Sequence, residues 1–132
     1  MTLVDTNVLL DILSADALWA SWSLGQLLRR STEGPLLINE VIYAELSIRI
    51  DTEPELDAII ADLNLDLERT PKRALFLAGK AFKRYRASGG TRTGVLPDFF
   101  IGAHAEVEVL TILTRDARRY AQYFPKVNVI AP

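Results

Sequence analysis

Four acidic residues, Asp5, Glu45, Asp98 and Asp116, stand out by position. The three aspartates fall where a short apolar run or a proline turns into a helical pattern, and each reads as a helix N-terminal residue. Free backbone N–H groups and the helix dipole stabilise an aspartate there without any further role. Glu45 has Val41, Ile42, Ile48 and Arg49 as helical neighbours, so its stripe is mostly apolar. A carboxylate on such a stripe is costly to bury, and an ion pair with Arg49 at i+4 is one compensation. If the four acids instead meet, their like charges raise one another's pKa until a cation neutralises them. Oxygen donors suit hard ions such as Mg2+ or Mn2+, which can stabilise the attacking and leaving oxygens of phosphodiester hydrolysis. A metal also lowers the pKa of water, so such a site needs no histidine base.

Composition narrows the chemistry from the other side. Cysteine is absent and His104 is the only histidine, which removes disulfide scaffolds, thiolate zinc sites, cysteine nucleophiles and histidine-rich metal sites. With 132 residues, 49% apolar and 24% charged, the chain reads as one globular domain over residues 1–132. No apolar run is long enough to span a bilayer, and the first five residues lack the pattern of a signal peptide, so the expected location is the cytoplasm.

The net charge of −2 hides an asymmetry. Residues 1–70 carry 13 acidic and 4 basic side chains, and residues 71–132 carry 4 acidic and 11 basic ones. One basic stretch runs from Lys72 to Arg92 past Gly89-Gly90, and Arg115, Arg118 and Arg119 form a second group. Such a split suits a polyanionic partner. The solvated face of an amphipathic helix would account equally well for Lys80, Lys83 and Arg84.

The elements that must position these residues follow from periodicity. Leu3-Val4 predicts a strand, and Val8, Leu9, Ile12 and Leu13 a helix. Leu18 to Leu28 predicts a second helix, stopped near Glu33-Gly34-Pro35. Leu36-Leu37-Ile38 is a buried strand, and Asn39 caps a helix through Ile50. Thr52-Glu53-Pro54-Glu55 opens a helix through about Leu63, and Leu65 and Leu67 mark a strand at or near a sheet edge. Thr70-Pro71 starts a long helix through Arg86, followed by a loop rich in glycine. Pro97-Asp98 opens a helix to about Glu108, and Val109 to Thr114 is a β-branched strand. A short helix from Asp116 to Phe124 and a strand from Val127 to Ile130 complete the chain. The alternation of strands with helices from end to end predicts a mainly parallel sheet covered on both faces.

The runs Val4-Asp5-Thr6-Asn7, Tyr43-Ala44-Glu45-Leu46, Leu96-Pro97-Asp98 and Leu113-Thr114-Arg115-Asp116, extending to Tyr120, together resemble the PIN-domain ribonucleases. Within that family they are most similar to the VapC toxins of type II toxin-antitoxin systems. The resemblance spans the whole chain, with its motifs in order. It implies a three-layer α/β/α sandwich with a five-stranded, mainly parallel sheet, and an acidic Mg2+ or Mn2+ site at the strand carboxyl ends. Asp5 and Asp98 are then the foremost metal ligands, while for Glu45 and Asp116 direct, water-mediated and second-ion coordination all stay open. Asn7 and Thr114 are expected to orient Asp5 and Asp116 or hold water, although turn and strand-end hydrogen bonding would serve as well. Asp11 lies beyond one helical turn from Asp5 and stays outside the site, and His104 reads as a packed or partly exposed helix residue.

The implied function is a metal-dependent endoribonuclease toxin, paired as a homodimer and silenced by a cognate antitoxin whose tail covers the groove, in some relatives with a basic side chain reaching the acids. Arg86, Arg92 and Arg115 are the candidates to hold RNA phosphates, and Tyr85 or a tryptophan to stack on a base. Trp19 and Trp22, among leucines, read instead as core or dimer-interface residues. Two other classes compete. A phosphoacceptor receiver domain also carries an acidic pocket on a parallel sheet, but expects a lysine just after the fifth strand, whereas Lys126 precedes the last one. A non-catalytic RNA- or protein-binding module would keep the pocket without turnover.

Overall fold

The computed structural model describes residues 1–132. Strand β1 (Thr2–Val4) leads into α1 (Thr6–Leu13) and α2 (Ala20–Ser31), then β2 (Leu36–Asn39), α3 (Glu40–Ser47) and α4 (Glu53–Asp62). Next come β3 (Leu65–Glu68), the long α5 (Lys72–Ala87), α6 (Leu96–Glu108), β4 (Thr111–Leu113), α7 (Arg118–Tyr123) and β5 (Val129–Ile130). The strands form one fully parallel sheet in the order β3-β2-β1-β4-β5. Thr2 stands opposite Leu36 on one side and Thr111 on the other, and Val4 opposite Leu113. With helices on both faces this is the three-layer α/β/α sandwich. No helix is long and apolar enough to cross a membrane.

The central strands are buried on both faces, which is why Leu3, Val4, Ile38, Ile112 and Leu113 have essentially no exposed surface. Val8, Leu9, Ile42, Leu46, Phe99 and Ile101 pack onto them from the helices. Phe99 joins Tyr123 at 5.2 Å and Tyr85 at 5.6 Å between ring centroids, so α5, α6 and α7 share one aromatic seam, which starts at the residue after Asp98 on α6. Asn39 caps α3 as expected: its Oδ1 accepts from the Ile42 N–H at 3.0 Å. That fixes the amide, so Nδ2 donates to His104 Nδ1 at 3.1 Å and holds the buried imidazole neutral. Trp19 and Trp22 are partly buried and meet edge to face.

Several boundaries differ from the sequence reading. The helix after Asn39 stops at Ser47 rather than Ile50, because the turn through Arg49 must aim the chain at the capped start of α4, where Thr52 accepts from Glu55 N–H. The strand expected from Val109 begins only at Thr111. Val109 instead ends α6 in the left-handed conformation (φ 54°), 90% exposed, and Leu110 N–H returns to the Ala105 carbonyl at 2.8 Å. A reversal of direction there outweighs the β preference of a branched residue. The last strand is trimmed to Val129–Ile130. β3 lies at the sheet edge, and only Leu65 of its two leucines is buried, Leu67 being exposed. The strand order also sets the receiver reading aside, since that fold places its strands in the order 2-1-3-4-5.

Candidate active site

The chain leaves β1 towards β2 on one side and leaves β4 towards β5 on the other, so the loops beyond these adjacent strands diverge and open a crevice at their carboxyl ends. Asp5 is the first residue past β1, and its N–H donates to the Leu113 carbonyl at 2.9 Å. Thr114 is the first residue past β4. Although Asp5 occupies the N-cap position of α1, its side chain makes no capping bond. The carboxylate accepts instead from Thr114 Oγ1 at 2.8 Å and Tyr120 Oη at 2.9 Å, both on Oδ2.

A threonine hydroxyl has one proton to give, and the shorter contact shows that Thr114 gives it to Asp5. Its oxygen accepts from Asn7 Nδ2 at 3.2 Å and from the Asp116 N–H at 3.1 Å. Asn7 Oδ1 in turn accepts from the Arg115 N–H at 3.1 Å, which orients the amide. Asn7 and Thr114 therefore sew the end of β1 to the end of β4 and fix the angle of Asp5.

Burial pushes the Asp5 carboxyl above its ordinary value, and the hydrogen bonds to Thr114 and Tyr120 pull against it without cancelling it. Burial and the Asp5 charge push Tyr120 well above the usual phenol range, so it remains a donor. Glu45 accepts from Thr6 Oγ1 at 2.7 Å; burial, and then the Asp5 charge, raise its carboxyl. Asp98, in the first turn of α6, is pushed up to about 7 by burial and by the charges of Asp5, Glu45 and Asp116, with Arg119 at 3.5 Å opposing them. Asp116 differs: its carboxylate grips Arg118 through Nε at 2.9 Å and Nη2 at 2.6 Å, which holds it down at about 2. Its Oδ1 also accepts from the Arg118 N–H at 3.1 Å, the local helix-start role open to any such aspartate.

The structure thus brings Asp5, Glu45 and Asp98 into mutual electrostatic contact, with Asp116 at the rim tied to an arginine. As arranged, no three acidic or imidazole side chains form a ready cage for one ion. The donor set nevertheless fits a hard divalent cation: oxygen ligands only, and a carboxyl raised to about 7 first by burial and then by neighbours of its own sign, a frustration that a cation relieves.

Sequence reasoning did not assign Thr6, Tyr120, Arg118 or Arg119 to the site. Tyr120 could have been found as the residue of a short helix that returns one turn after Asp116, inside a recognised motif. Thr6 carries no signal beyond adjacency to Asp5. Among the expected RNA contacts, Arg86 lies over the Phe82 ring at 5.8 Å, and Arg92 sits on the loop before α6. Arg115 is engaged elsewhere, paired with Asp11 at 2.8 Å and placed over Trp19 at 5.5 Å. Asp11 is buried, accepts from Ser23 Oγ at 2.8 Å, and does not touch the acidic group.

The family model for the PIN domain matches residues 2–125. No curated protein is significantly similar to the sequence. Among solved structures the chain is similar to VapBC2 from Rickettsia felis bound to a DNA fragment from their promoter, at 14% identity and a TM-score of 0.75, covering 99% of this chain and 98% of that chain. It is also similar to FitAcB from Neisseria gonorrhoeae, at 19% identity and a TM-score of 0.69, covering 100% and 98%. A toxin-antitoxin complex from Klebsiella pneumoniae matches at 19% identity and a TM-score of 0.67, covering 100% and 98%. At these identities the likeness is one of fold.

Proposed function

Matched to its family model over residues 2–125, this chain belongs to the PIN-domain family, and from that premise we propose that it is a Mg2+- or Mn2+-dependent endoribonuclease, the toxin of a type II toxin-antitoxin pair. The observation that carries the reading is the convergence of Asp5, Glu45 and Asp98 at the point where the strand order reverses, close enough to perturb one another's ionisation. Asp5 and Asp98 are the proposed direct ligands, with Glu45 and Asp116 completing the coordination directly or through water.

When bound, a divalent ion supplies Lewis acidity to the phosphodiester and lowers the pKa of water. The chain's part is positional. Thr114 and Tyr120 donate to Asp5 Oδ2 and fix the carboxylate, which would be one of the ligands of the ion. Thr6 aims Glu45 into the crevice from the neighbouring helix. Asp98 shares its proton with solvent near neutrality and must lose it to act as a ligand, so cation affinity rises as pH passes about 7. The toxin-antitoxin structures of the same fold support a cognate antitoxin as partner. Homodimerisation and a cytoplasmic location belong to the same proposal.

The arginines at Asp98 and Asp116 favour one second reading, a non-catalytic RNA- or protein-binding module whose acids are permanently neutralised by its own cations. Incubation of single-stranded RNA with the protein and Mn2+, with and without chelator, separates the two. Cleavage that stops on chelation and is abolished in Asp5→Asn and Asp98→Asn supports the nuclease. Undiminished cleavage in both variants defeats it, and binding without turnover favours the module.

A further inference from the structure

Beside the acids lies a cleft of about 180 Å³ lined by Arg92, Arg118, Arg119 and Gln122, with no hydrophobic side chain among them. Each guanidinium has five N–H donors, and the pairs described above leave most of them unused. Arg118 meets Asp116 by one edge, Arg119 reaches Asp98 with a single nitrogen, and the Arg92 side chain has no partner. The cleft is therefore rich in cationic donors and poor in acceptors.

It is also built rather than accidental. Tyr85 Oη accepts from the Arg92 N–H at 3.1 Å, and the same ring lies 5.5 Å under the Arg119 guanidinium, so one side chain of α5 sets both walls. Gly90 lets the loop close onto that ring, since a Cβ there would stand 2.5 Å from it. Two of the arginines touch the acids, so the cleft adjoins the reacting position.

We propose that this cleft holds the backbone phosphate next to the scissile one in single-stranded RNA. The assignment rests on the nuclease reading for the word scissile, and on the cleft alone for the phosphate. Planar, forked donors match phosphate oxygens in pairs, and no hydrophobic side chain lines the cleft.

Arg92→Gln tests it, because Arg92 is exposed and touches no acid. Binding of a labelled ten-nucleotide RNA is measured by fluorescence anisotropy in chelator, across salt concentrations, for the natural chain, Arg92→Gln and the distant control Lys72→Gln. The expected result is an affinity about three- to tenfold lower for Arg92→Gln only, with a log–log salt slope shallower by about 0.7, the loss of one phosphate contact on a single strand. An Arg92→Gln affinity equal to that of Lys72→Gln overturns the proposal. So does an equal loss of affinity for a glutamate decapeptide, which would make the cleft a general anion patch, and so does displacement of RNA by an equimolar amount of inorganic phosphate. Absent cleavage by the natural chain with a persistent RNA-specific loss removes the nuclease and keeps the phosphate site. Metal-dependent cleavage with unaltered Arg92→Gln affinity removes the site alone.

Discussion

Asp5 is a carboxylate at the heart of a core, and its tolerance depends on two hydroxyls. Removing one exposes the cost directly. Tyr120 is buried, so Tyr120→Phe keeps its packing and deletes one donor to a charged acceptor. A loss of about 1–2 kcal/mol in urea unfolding at pH 8 is expected, with Asp5 titrating higher than in the natural chain. Unchanged stability would mean that water replaces the phenol at Asp5. The site's charged members were legible in the sequence because acids recur at the ends of strands and on an apolar stripe. Its neutral partners were not: Thr6 and Tyr120 belong to residue types common in any core or turn, and only the fold brings them to within hydrogen-bonding distance of Glu45 and Asp5. Arg115 failed in the opposite sense, since a basic residue beside Asp116 looks free in sequence, yet the fold supplies Asp11 and Trp19 to hold it.

At the scale of elements, the order and type of every strand and helix could be read from periodicity, because each central strand is a short apolar run between helical stripes. What periodicity could not locate was where a helix releases the chain into the next strand. Val109 is the clearest case, a branched residue that reads as strand and instead caps α6 with φ 54°. Cβ crowding in the left-handed region costs about 1–2 kcal/mol, and glycine escapes it while giving back part of the gain as unfolded-chain entropy. Val109→Gly is therefore expected to stabilise the protein by about 0.5–1 kcal/mol, seen as a higher urea midpoint at unchanged slope. The exposed side chain forfeits no packing. A lower midpoint would show that the α6–β4 turn needs the branched side chain after all.

For the whole molecule, the acidic crevice is a stability deficit that a cation would turn into a surplus. Asp98 carries the sign most clearly. Its carboxyl stands at about 7 in the folded chain against 3.8 as the ordinary value, so between those limits the folded state holds a proton that the unfolded state has released. That contribution is complete below pH 3.8 and is lost as pH rises through about 7, leaving the folded chain with an unwelcome charge. Asp98→Asn is consequently expected to be more stable than the natural chain at pH 8 without divalent ions, and near parity below pH 3.8. Because this side chain is 36% exposed, solvent screens most of the repulsion and the gain at pH 8 is about 1 kcal/mol, or roughly 3–5 °C in Tm. Saturating Mn2+ should reverse the ranking, since an ion that binds only the folded state adds stability in proportion to the logarithm of its concentration over Kd, and the variant lacks a ligand. Calorimetric scans at pH 8 with chelator and with Mn2+ test both halves. If Mn2+ raises the Tm of both proteins equally, the ion does not bind at Asp98. If the variant is the less stable one in chelator, Asp98 is compensated by Arg119 more fully than its raised pKa allows, and the crevice carries no deficit for a metal to relieve.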